Sequence, residues 1–175
     1  LPHAIPPAPR PRRVTVIGAG PGGLEAARVA AERGHAVTVL EAADAPGGQI
    51  RLTARQERRR EMLAIVDWRH AQCLRHGVTF RFNTWAEAED VLATAPDLVI
   101  VATGGLPGTG ALSEGAAEVV TAWDILAGDV KPGAEVLVFD AAGDHAGLMA
   151  AQAAVQAGAR VEIVTPDRSF APEVM

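Results

Sequence analysis

Cysteine is nearly absent from this sequence, which has Cys73 alone among its 175 residues. One thiol cannot form a disulfide, a four-thiolate zinc site or an iron–sulfur cluster within the chain. Such sparing use of cysteine is typical of a reducing compartment, so we expect a cytoplasmic protein.

Long apolar runs and an excess of basic residues are also missing. No run approaches the roughly 18 to 20 apolar residues that a membrane-spanning helix needs, so no membrane partner is expected. The 16 lysine and arginine residues are outnumbered by 21 aspartate and glutamate residues, and the net charge of −5 is unfavourable for binding nucleic acid. The remaining composition, 49% hydrophobic and 21% charged, is typical of a globular protein.

Short β-branched runs alternate with longer helical patterns from Arg13 onward. The alternation predicts an α/β fold in which a Rossmann-like parallel sheet is covered by crossover helices. The helical spacing of apolar residues also predicts that Cys73 lies in the core. The predicted strands are 14–17, 36–40, 78–82, 97–102 (buried and central), 136–139 and 161–164, with a short strand and a helical turn within 119–126. The predicted helices are 21–33, 54–76, 87–94 and 147–156.

Proline and glycine mark the boundaries between segments. Prolines crowd residues 1–12, which predicts an extended linker that arrives from an upstream part of a longer chain. A Lys-Pro-Gly turn at 131–133 separates a first domain at 13–130 from a truncated second βαβ unit at 131–175. We expect an excised piece of a larger protein, and we expect the unpaired strand edge of the second unit to favour a homo-oligomer.

A glycine-rich turn joins the first predicted strand to the first predicted helix. Its pattern is Gly18-x-Gly20-x-x-Gly23, with Pro21 in the first helical turn. Gly18 permits a tight turn, Gly20 lets a pyrophosphate approach the backbone, and Gly23 lets the helix lie close to the sheet. Because the free N–H groups and the helix dipole favour phosphate, the turn predicts dinucleotide or ADP binding. The alternative is a purely structural turn.

An acidic residue ends the second predicted strand where such folds bind ribose. Glu41 lies 23 positions after Gly18, where a carboxylate accepts hydrogen bonds from both hydroxyls of an adenosine ribose. Without the glycines, a solvated acid at the end of a strand would be the better interpretation. With them, Glu41 is a candidate ribose ligand.

Two further segments resemble flavoproteins that contain two dinucleotide-binding domains. Glu41 is followed by five residues and then by Gly47-Gly48-Gln49, which is similar to the second signature of these proteins. Residues 97–105 are similar to the Ala-Thr-Gly segment by which they return to the cofactor. The resemblance implies FAD or ADP, rather than NAD, at the first site.

From Arg13 to its end the chain resembles the C-terminal half of NADH:flavin oxidoreductases of the 2,4-dienoyl-CoA reductase and trimethylamine dehydrogenase family. The shared features are the Gly-Gly-Gln-Ile-Arg run at 47–51, the long helix, the Asn-Thr-Trp run at 83–85 and the Ala-Thr-Gly segment. The resemblance implies a parent oxidoreductase whose FMN barrel and 4Fe-4S cluster lie outside these residues. This stretch alone is expected to be inactive and to depend on the rest of the parent chain.

The glycine motif and the resemblance together assign a set of cofactor ligands, but no catalytic residue and no metal ligand. Trp85 falls where the family places an apolar residue beside the adenine, and stacking on the base or packing at the sheet edge are both open. Gln49 and Thr103 carry groups that can bind phosphate or ribityl oxygens. The candidate ligands for FAD or ADP are Gly18, Gly20, Pro21, Gly22, Gly23, Glu41, Ala42, Gly48, Gln49, Trp85, Ala102, Thr103 and Gly104.

The second strand–turn–helix departs from the dinucleotide pattern. Asp140, Ala142 and His145 hold the three glycine positions, so an acid lies where a pyrophosphate would bind. The next strand is followed by Thr165 rather than by an acid that binds the ribose of NAD. The departure resembles the amine dehydrogenase and demethylase side of the family. Two alternatives stay open: an NADPH-dependent 2,4-dienoyl-CoA reductase and a non-catalytic ADP-binding module.

Overall fold

The structure, a computed structural model, describes residues 5–108 and 114–174. These residues group into two units. The first contains the described residues of Leu1–Arg51 and Glu61–Gly105, and the second contains those of Leu52–Arg60 and Leu106–Met175. The domain boundary predicted at residue 130 stays a prediction.

Four parallel strands rich in β-branched residues form the sheet of the first unit. They are β1 (Arg13–Ile17), β2 (Ala36–Leu40), β3 (Thr79–Arg81) and β4 (Leu98–Val101), in the order β3-β2-β1-β4. The helices along this stretch of chain are α1 (Pro21–Glu32), α2 (Gln49–Thr53), α3 (Leu63–Arg75) and α4 (Ala88–Ala93). Val14 of β1 pairs with Val37 of β2 and with Leu98 of β4. The predicted α/β, Rossmann-like parallel fold is confirmed.

The core of the first unit contains residues from the sheet and from helices α1 and α3. Leu24 and Ala27 of α1 and Cys73 of α3 are fully buried in it. The Cys73 thiol donates a hydrogen bond to the carbonyl oxygen of Leu24 at 3.3 Å. Burial raises the pKa of the Cys73 thiol to about 11. The prediction that this residue lies in the core is confirmed.

A charged cluster joins α1 to α3. The Arg28 guanidinium donates two hydrogen bonds to the Glu25 carboxylate, at 3.1 Å and 2.7 Å, and Arg69 lies 3.0 Å from the same carboxylate. Both guanidinium groups lie over the Trp68 ring, at 5.6 Å and 5.8 Å from its centroid. The hydrogen bonds from Arg28 lower the pKa of Glu25, so this carboxylate stays charged at lower pH than an isolated one.

The second unit is built around a parallel pair of strands, β5 (Glu135–Phe139) and β6 (Arg160–Val164). Helix α6 (His145–Gln156) connects them and packs on both strands. Helix α5 (Ala122–Ala127) packs against α6 and begins with a capping box. These elements confirm the predicted partial βαβ unit.

The prediction of a long helix at 54–76 is wrong for the first part of that range. Glu57–Met62 form a 3₁₀ turn, and α3 begins only after it. Within the second unit, the buried amide of Gln56 donates to the carbonyl oxygen of Met149 at 2.7 Å, and the Arg55 guanidinium binds carbonyl oxygens at the end of α5. These long-range hydrogen bonds compete with a continuous helix, so tertiary contacts override the helical spacing of the sequence.

Two strand predictions also need correction. The strand predicted as buried and central is β4, which pairs only with β1 among the described strands and lies at a sheet edge. Its residues Leu98 and Val101 are 47% and 70% exposed. The strand predicted within 119–126 is wrong, because the described residues there form no strand and lead into α5. An apolar run indicates burial but does not specify how many neighbours a strand has.

The proline-rich start is held against the first sheet. The Ala8 amide donates to the carbonyl oxygen of Arg33 at 2.8 Å, and the Ala36 amide donates to that of Arg12 at 2.9 Å. Residues 1–4 of the predicted linker lie outside the described residues. The described part of this segment is therefore anchored at two points by backbone hydrogen bonds.

Candidate nucleotide-binding site

Candidate ligands follow the carboxyl ends of three neighbouring strands and therefore lie along one edge of the first sheet, its carboxyl edge. Gly18 follows β1, Glu41 follows β2 and Ala102 follows β4, and the three strands are adjacent and parallel. Ligands of open α/β sheets bind outside the carboxyl ends of the strands. A ligand is therefore expected to bind at this edge.

Gly18 and Gly23 are points of close backbone contact. A Cβ on Gly18, whose φ is +100°, would lie 2.5 Å from the carbonyl oxygen of Ala102. A Cβ on Gly23 would lie 1.9 Å from the carbonyl oxygen of Gly18. Glycine is required at both positions, because the turn, helix α1 and the end of β4 leave no space for a side chain.

Gly20 and Gly22 border open space instead. Apart from the adjacent residues and the backbone of α1 itself, no described atom lies within 4 Å of a Cβ built on either residue. Gly20 is the N-cap of α1; no described side chain caps this helix, and its first turn carries no acidic residue. The N–H groups of that turn and the positive end of the helix dipole are therefore suited to an anion beside Gly20.

The turn before α2 packs against the glycine-rich turn. The Gly47 amide donates to the carbonyl oxygen of Ala19 at 2.9 Å. A Cβ on Gly48, whose φ is +52°, would lie 3.3 Å from the Cα of Gly20. The Gln49 side-chain amide donates to a carbonyl oxygen in the loop after β4 at 3.1 Å. The two flavoprotein-like segments of the sequence therefore meet at this edge.

The Glu41 carboxylate is bonded to backbone on both of its oxygens. Oε2 accepts a hydrogen bond from the Ala19 amide at 2.6 Å, and Oε1 accepts one from the Ala43 amide at 2.8 Å. Charge-assisted hydrogen bonds of this kind hold a carboxylate in one orientation. Because each carboxylate oxygen can accept more than one hydrogen bond, Glu41 retains capacity for the hydroxyls of a ribose.

Trp85 lies on a loop that runs beside the residues after β2. The Thr84 amide donates to the carbonyl oxygen of Glu41, and the Asn83 amide donates to that of Ala43, both at 2.9 Å. Trp85 follows these bonds and is 79% exposed. So high an exposure is inconsistent with a ring packed at the sheet edge and leaves a flat apolar surface accessible to a base.

The Ala-Thr-Gly segment continues from β4 along β1. The Ala102 amide donates to the carbonyl oxygen of Ile17 at 2.8 Å. Gly104 has a φ of +73°, and a Cβ there would lie 3.6 Å from the side-chain nitrogen of Gln49. Thr103 is exposed between them. The segment and the turn before α2 thus border the same part of the edge.

Sequence reasoning missed two backbone groups at this edge. The Ala19 amide holds the Glu41 carboxylate, and the Gly47 amide binds the turn that contains Ala19. Backbone donors leave no side-chain signal, although Gly47 belongs to the Gly-Gly pair of the motif. Of the other candidates, Pro21 is the first residue of α1 and Ala42 is exposed in the loop after β2.

The part of the chain that the structure describes offers neither of two other kinds of site. There, no group of three or more His, Cys, Asp or Glu side chains is arranged to hold a metal ion. Across the same residues, no helix combines the length and apolar character needed to cross a bilayer.

A family model covers part of the chain that forms this edge. The model of NAD(P)-binding Rossmann-like domains matches residues 16–78. The match begins within β1, includes the glycine-rich turn and Glu41, and ends just before β3. It supports a nucleotide or flavin cofactor for this chain.

The similarity to known proteins extends over almost the whole chain. A protein of Rhizobium meliloti (strain 1021) named probable N-methylproline demethylase is 65% identical over 100% of this chain and 26% of its own length. The N,N-dimethylglycine/sarcosine dehydrogenase of Chromohalobacter salexigens is 46% identical over 95% of this chain and 25% of its own length. The solved structure of 2-naphthoyl-CoA reductase with 2-naphthoyl-CoA has a TM-score of 0.89 and 34% identity over 98% of this chain and 26% of that chain.

The chain spans about a quarter of the length of the curated relatives it matches. Their names describe oxidoreductases, in agreement with the resemblance that the glycine-rich turn, the Gly-Gly pair and the Ala-Thr-Gly segment indicated. This chain is therefore similar, over almost its whole length, to the Rossmann-like nucleotide-binding part of longer proteins named as a demethylase, a dehydrogenase and a reductase.

Proposed function

We propose that this chain binds the adenosine diphosphate part of FAD, or ADP itself, at the glycine-rich turn after β1. The observation that carries the proposal is that the Glu41 carboxylate and the uncapped start of α1 share one edge of the sheet. A pyrophosphate would be held by the N–H groups beside Gly20, a ribose by Glu41 and an adenine by Trp85.

The donors and acceptors of the site fit these three parts of the ligand. The positive end of α1 attracts an anion, and no described acidic side chain in its first turn opposes it. The Glu41 carboxylate accepts from ribose hydroxyls and would repel a phosphate on the 2′ oxygen. The ligand that fits is therefore an adenosine diphosphate without a 2′-phosphate, which disfavours NADPH at this turn.

FAD, when bound, would supply redox chemistry through its isoalloxazine ring. Gln49, Thr103 and Gly104 border the part of the edge beyond the glycine-rich turn and would hold phosphate or ribityl oxygens. The role of this chain is then to bind and orient the nucleotide. We expect these 175 residues to show no turnover by themselves.

We further propose that the full-length protein is an amine dehydrogenase or demethylase acting on an N-methylated amine. The support is the 65% identity to a probable N-methylproline demethylase and the 46% identity to an N,N-dimethylglycine/sarcosine dehydrogenase. In this proposal the substrate reacts at an FMN-containing barrel accompanied by a 4Fe-4S cluster. Both are implied by the family resemblance and lie outside these residues.

A reductase is the second candidate. It is favoured by the 34% identity and the TM-score of 0.89 to 2-naphthoyl-CoA reductase. In that case the full-length protein would take electrons from NADPH, as in the 2,4-dienoyl-CoA reductase alternative. A non-catalytic ADP-binding module is the third candidate, and it shares the first site with the other two.

Calorimetric titration of the 175-residue chain with ADP, FAD, NADH and NADPH tests the nucleotide assignment. We expect ADP and FAD to bind and NADPH to give no response. The Gly20→Val variant is the control, because its side chain enters the open space beside the turn. Preference for NADPH over ADP, or equal binding by the control, would contradict the assignment.

The reaction is tested with the full-length protein. An amine demethylase should release formaldehyde from an N-methylated amino acid in the presence of an electron acceptor, with no requirement for NADPH. Rapid, stoichiometric reduction by NADPH and turnover of an enoyl-CoA ester would favour the reductase instead. If the full-length protein binds ADP but shows neither activity, the non-catalytic ADP-binding module is the remaining candidate.

A further inference from the structure

The β5–α6 turn repeats the local order of the β1–α1 turn without its glycines. Asp140 directly follows β5, at the position that Gly18 occupies after β1. Asp140 is only 4% exposed. A buried carboxylate requires hydrogen-bond donors from the protein, so the partners of Asp140 define what this turn does.

Both oxygens of the Asp140 carboxylate accept hydrogen bonds from backbone amides. Oδ1 accepts from Gly143 in the same turn at 3.0 Å. Oδ2 accepts from Ala171, which lies 31 residues further along the chain, at 2.9 Å. The carboxylate thus binds an N–H group of the turn, the kind of donor that a ligand phosphate would use. At the same time it holds a distant segment to the turn.

The residues that follow Ala171 cover the turn. The Glu173 amide donates to the carbonyl oxygen of Gly143 at 3.0 Å. A Cβ on Gly143 would lie 2.9 Å from the Pro172 ring, so the two residues are in close contact. Ala171 itself is 1% exposed. The space beside Gly143 is therefore filled by residues of this chain.

The start of α6 is closed as well. Asp144 is its N-cap, and its Oδ1 accepts a hydrogen bond from the Ala146 amide at 2.7 Å. A Cβ on Gly147 would lie 3.0 Å from Oδ1 of Asp140, so that carboxylate also contacts the first turn of the helix. Helix α1, by contrast, begins at Gly20 with open space and no cap from a described side chain.

The charges around the β5–α6 turn also oppose a phosphate. Besides Asp140 and Asp144, a third acidic residue lies near the turn. Oδ2 of Asp167 would lie 3.4 Å from a Cβ on Gly143. The Arg59 guanidinium approaches the turn within the same unit, with its Nη2 3.1 Å from Nδ1 of His145. Carboxylates this close to the turn make the binding of a pyrophosphate there less favourable.

We propose that Asp140 is the residue that closes this second turn to dinucleotides. Its carboxylate takes the place of a ligand phosphate at the N–H of Gly143 and holds residues 171–173 across the turn. The chain accordingly binds nucleotide at the first turn only. The inference rests on the proposed function, because the Gly20 turn is the nucleotide site with which this turn is compared.

Binding at the second turn is tested in a Gly20→Val background, in which the first turn is disabled. In this background we expect the full 175-residue chain to bind neither NADH nor NADPH in calorimetric titration. Ala142→Gly and His145→Gly together should leave that result unchanged. Adding Asp140→Gly to them should raise the NADH affinity by at least about tenfold. Binding by the background, or no gain from Asp140→Gly, overturns the proposal.

Hydrogen exchange tests the closing contact directly. Asp140→Asn keeps the size of the side chain and one acceptor oxygen but loses the second acceptor. We expect the amides of Ala171 and Glu173 to exchange at least about tenfold faster in this variant. Asp144→Asn is the matched control, because asparagine is an equally good N-cap and should leave the exchange unchanged. Unchanged exchange at Ala171 in Asp140→Asn overturns the proposal.

The same variants separate this proposal from the proposed function. ADP titration with Gly20 intact reports on the first turn and should be unaffected by Asp140→Asn. If the unaltered chain did not bind ADP, that result would count against the proposed function. Dinucleotide binding in the Gly20→Val background would count against the closing role of Asp140.

Discussion

The Glu41 carboxylate accepts a hydrogen bond of 2.6 Å from the backbone amide of Ala19, and this bond joins the end of β2 to the glycine-rich turn after β1. One carboxylate therefore shapes the turn and, in the proposed function, would also accept hydrogen bonds from the ribose. Because the carboxylate is already oriented by the protein, binding of the nucleotide requires little reorganisation of this residue.

Replacement of Glu41 should weaken ADP binding. Glu41→Ala removes charge-assisted hydrogen bonds, and we expect a loss of about 1 to 3 kcal/mol in binding free energy. Glu41→Gln keeps one acceptor and should give a smaller loss. Calorimetric titration with ADP measures both, and Asp44→Ala, an exposed acid in the same loop, is the control. If Glu41→Ala binds ADP as the unaltered chain does, the ribose is not at Glu41.

Two glycines of the turn should respond differently to alanine. At Gly20 a Cβ meets no described atom within 4 Å, so Gly20→Ala should change stability by less than about 0.5 kcal/mol. The same methyl group would enter the space expected for pyrophosphate, so ADP affinity should fall by about tenfold or more. Thermal unfolding and ADP titration on one sample separate the two effects.

Gly18→Ala is the counterpart of that experiment. Its Cβ would lie 2.5 Å from the carbonyl oxygen of Ala102 at a φ of +100°, so the variant should lose about 1 to 3 kcal/mol of stability. The defect is in the packing of the turn on β4 rather than at a phosphate. A Gly18→Ala protein as stable as the original would show that the turn adjusts without cost.

Trp85 should contribute to binding but little to folding. Because the residue is 79% exposed, Trp85→Ala should leave the unfolding free energy nearly unchanged. Loss of the ring should weaken ADP binding by about 1 kcal/mol, or roughly fivefold, and Trp85→Phe should retain most of the affinity. Trp68→Phe is the matched control, because the Trp68 ring instead lies under the guanidinium groups of Arg28 and Arg69. Equal affinities for Trp85→Ala and the unaltered chain would exclude stacking on the base.

The buried thiol should make stability fall in alkali. The folded-state pKa of Cys73 is raised from 9.0 to about 11, so the folded chain keeps a proton that the unfolded chain loses above pH 9. This contribution is full below pH 9 and is lost as pH rises through 11; it amounts to about 2 to 3 kcal/mol. Denaturant unfolding at pH 8 and pH 11 measures it.

Cys73→Ala is the control for the alkaline effect. The variant lacks the thiol and should lose stability at pH 8 through the cavity left beside Leu24, yet show a smaller change between the two pH values. The sequence contains no tyrosine, which removes one other group that titrates in this range. The same dependence on pH in both proteins would assign the alkaline transition to other residues.

Local sequence signals predicted the glycine-rich turn better than they predicted the start of the long helix. Gly23 is dictated by a contact within the strand–turn–helix, and Gly18 has a local backbone φ of +100° that favours glycine, so their spacing indicates the turn. The prediction of a helix at 54–76 was wrong only in its first part, where Gln56 bonds to Met149, 93 residues away. Such a contact leaves no periodic signal in the sequence.

The sequence by itself determined the parallel α/β order, the glycine-rich turn and the acid at the end of β2, because strand alternation, backbone conformation and a short offset are local properties. Tertiary structure alone decided that β4 pairs with β1 and with no other described strand, that the Ala19 amide holds Glu41, and that Asp140 binds Ala171. These relationships depend on which distant backbone groups meet in the folded chain, and hydrogen bonds to backbone do not depend on the identity of the donor's side chain.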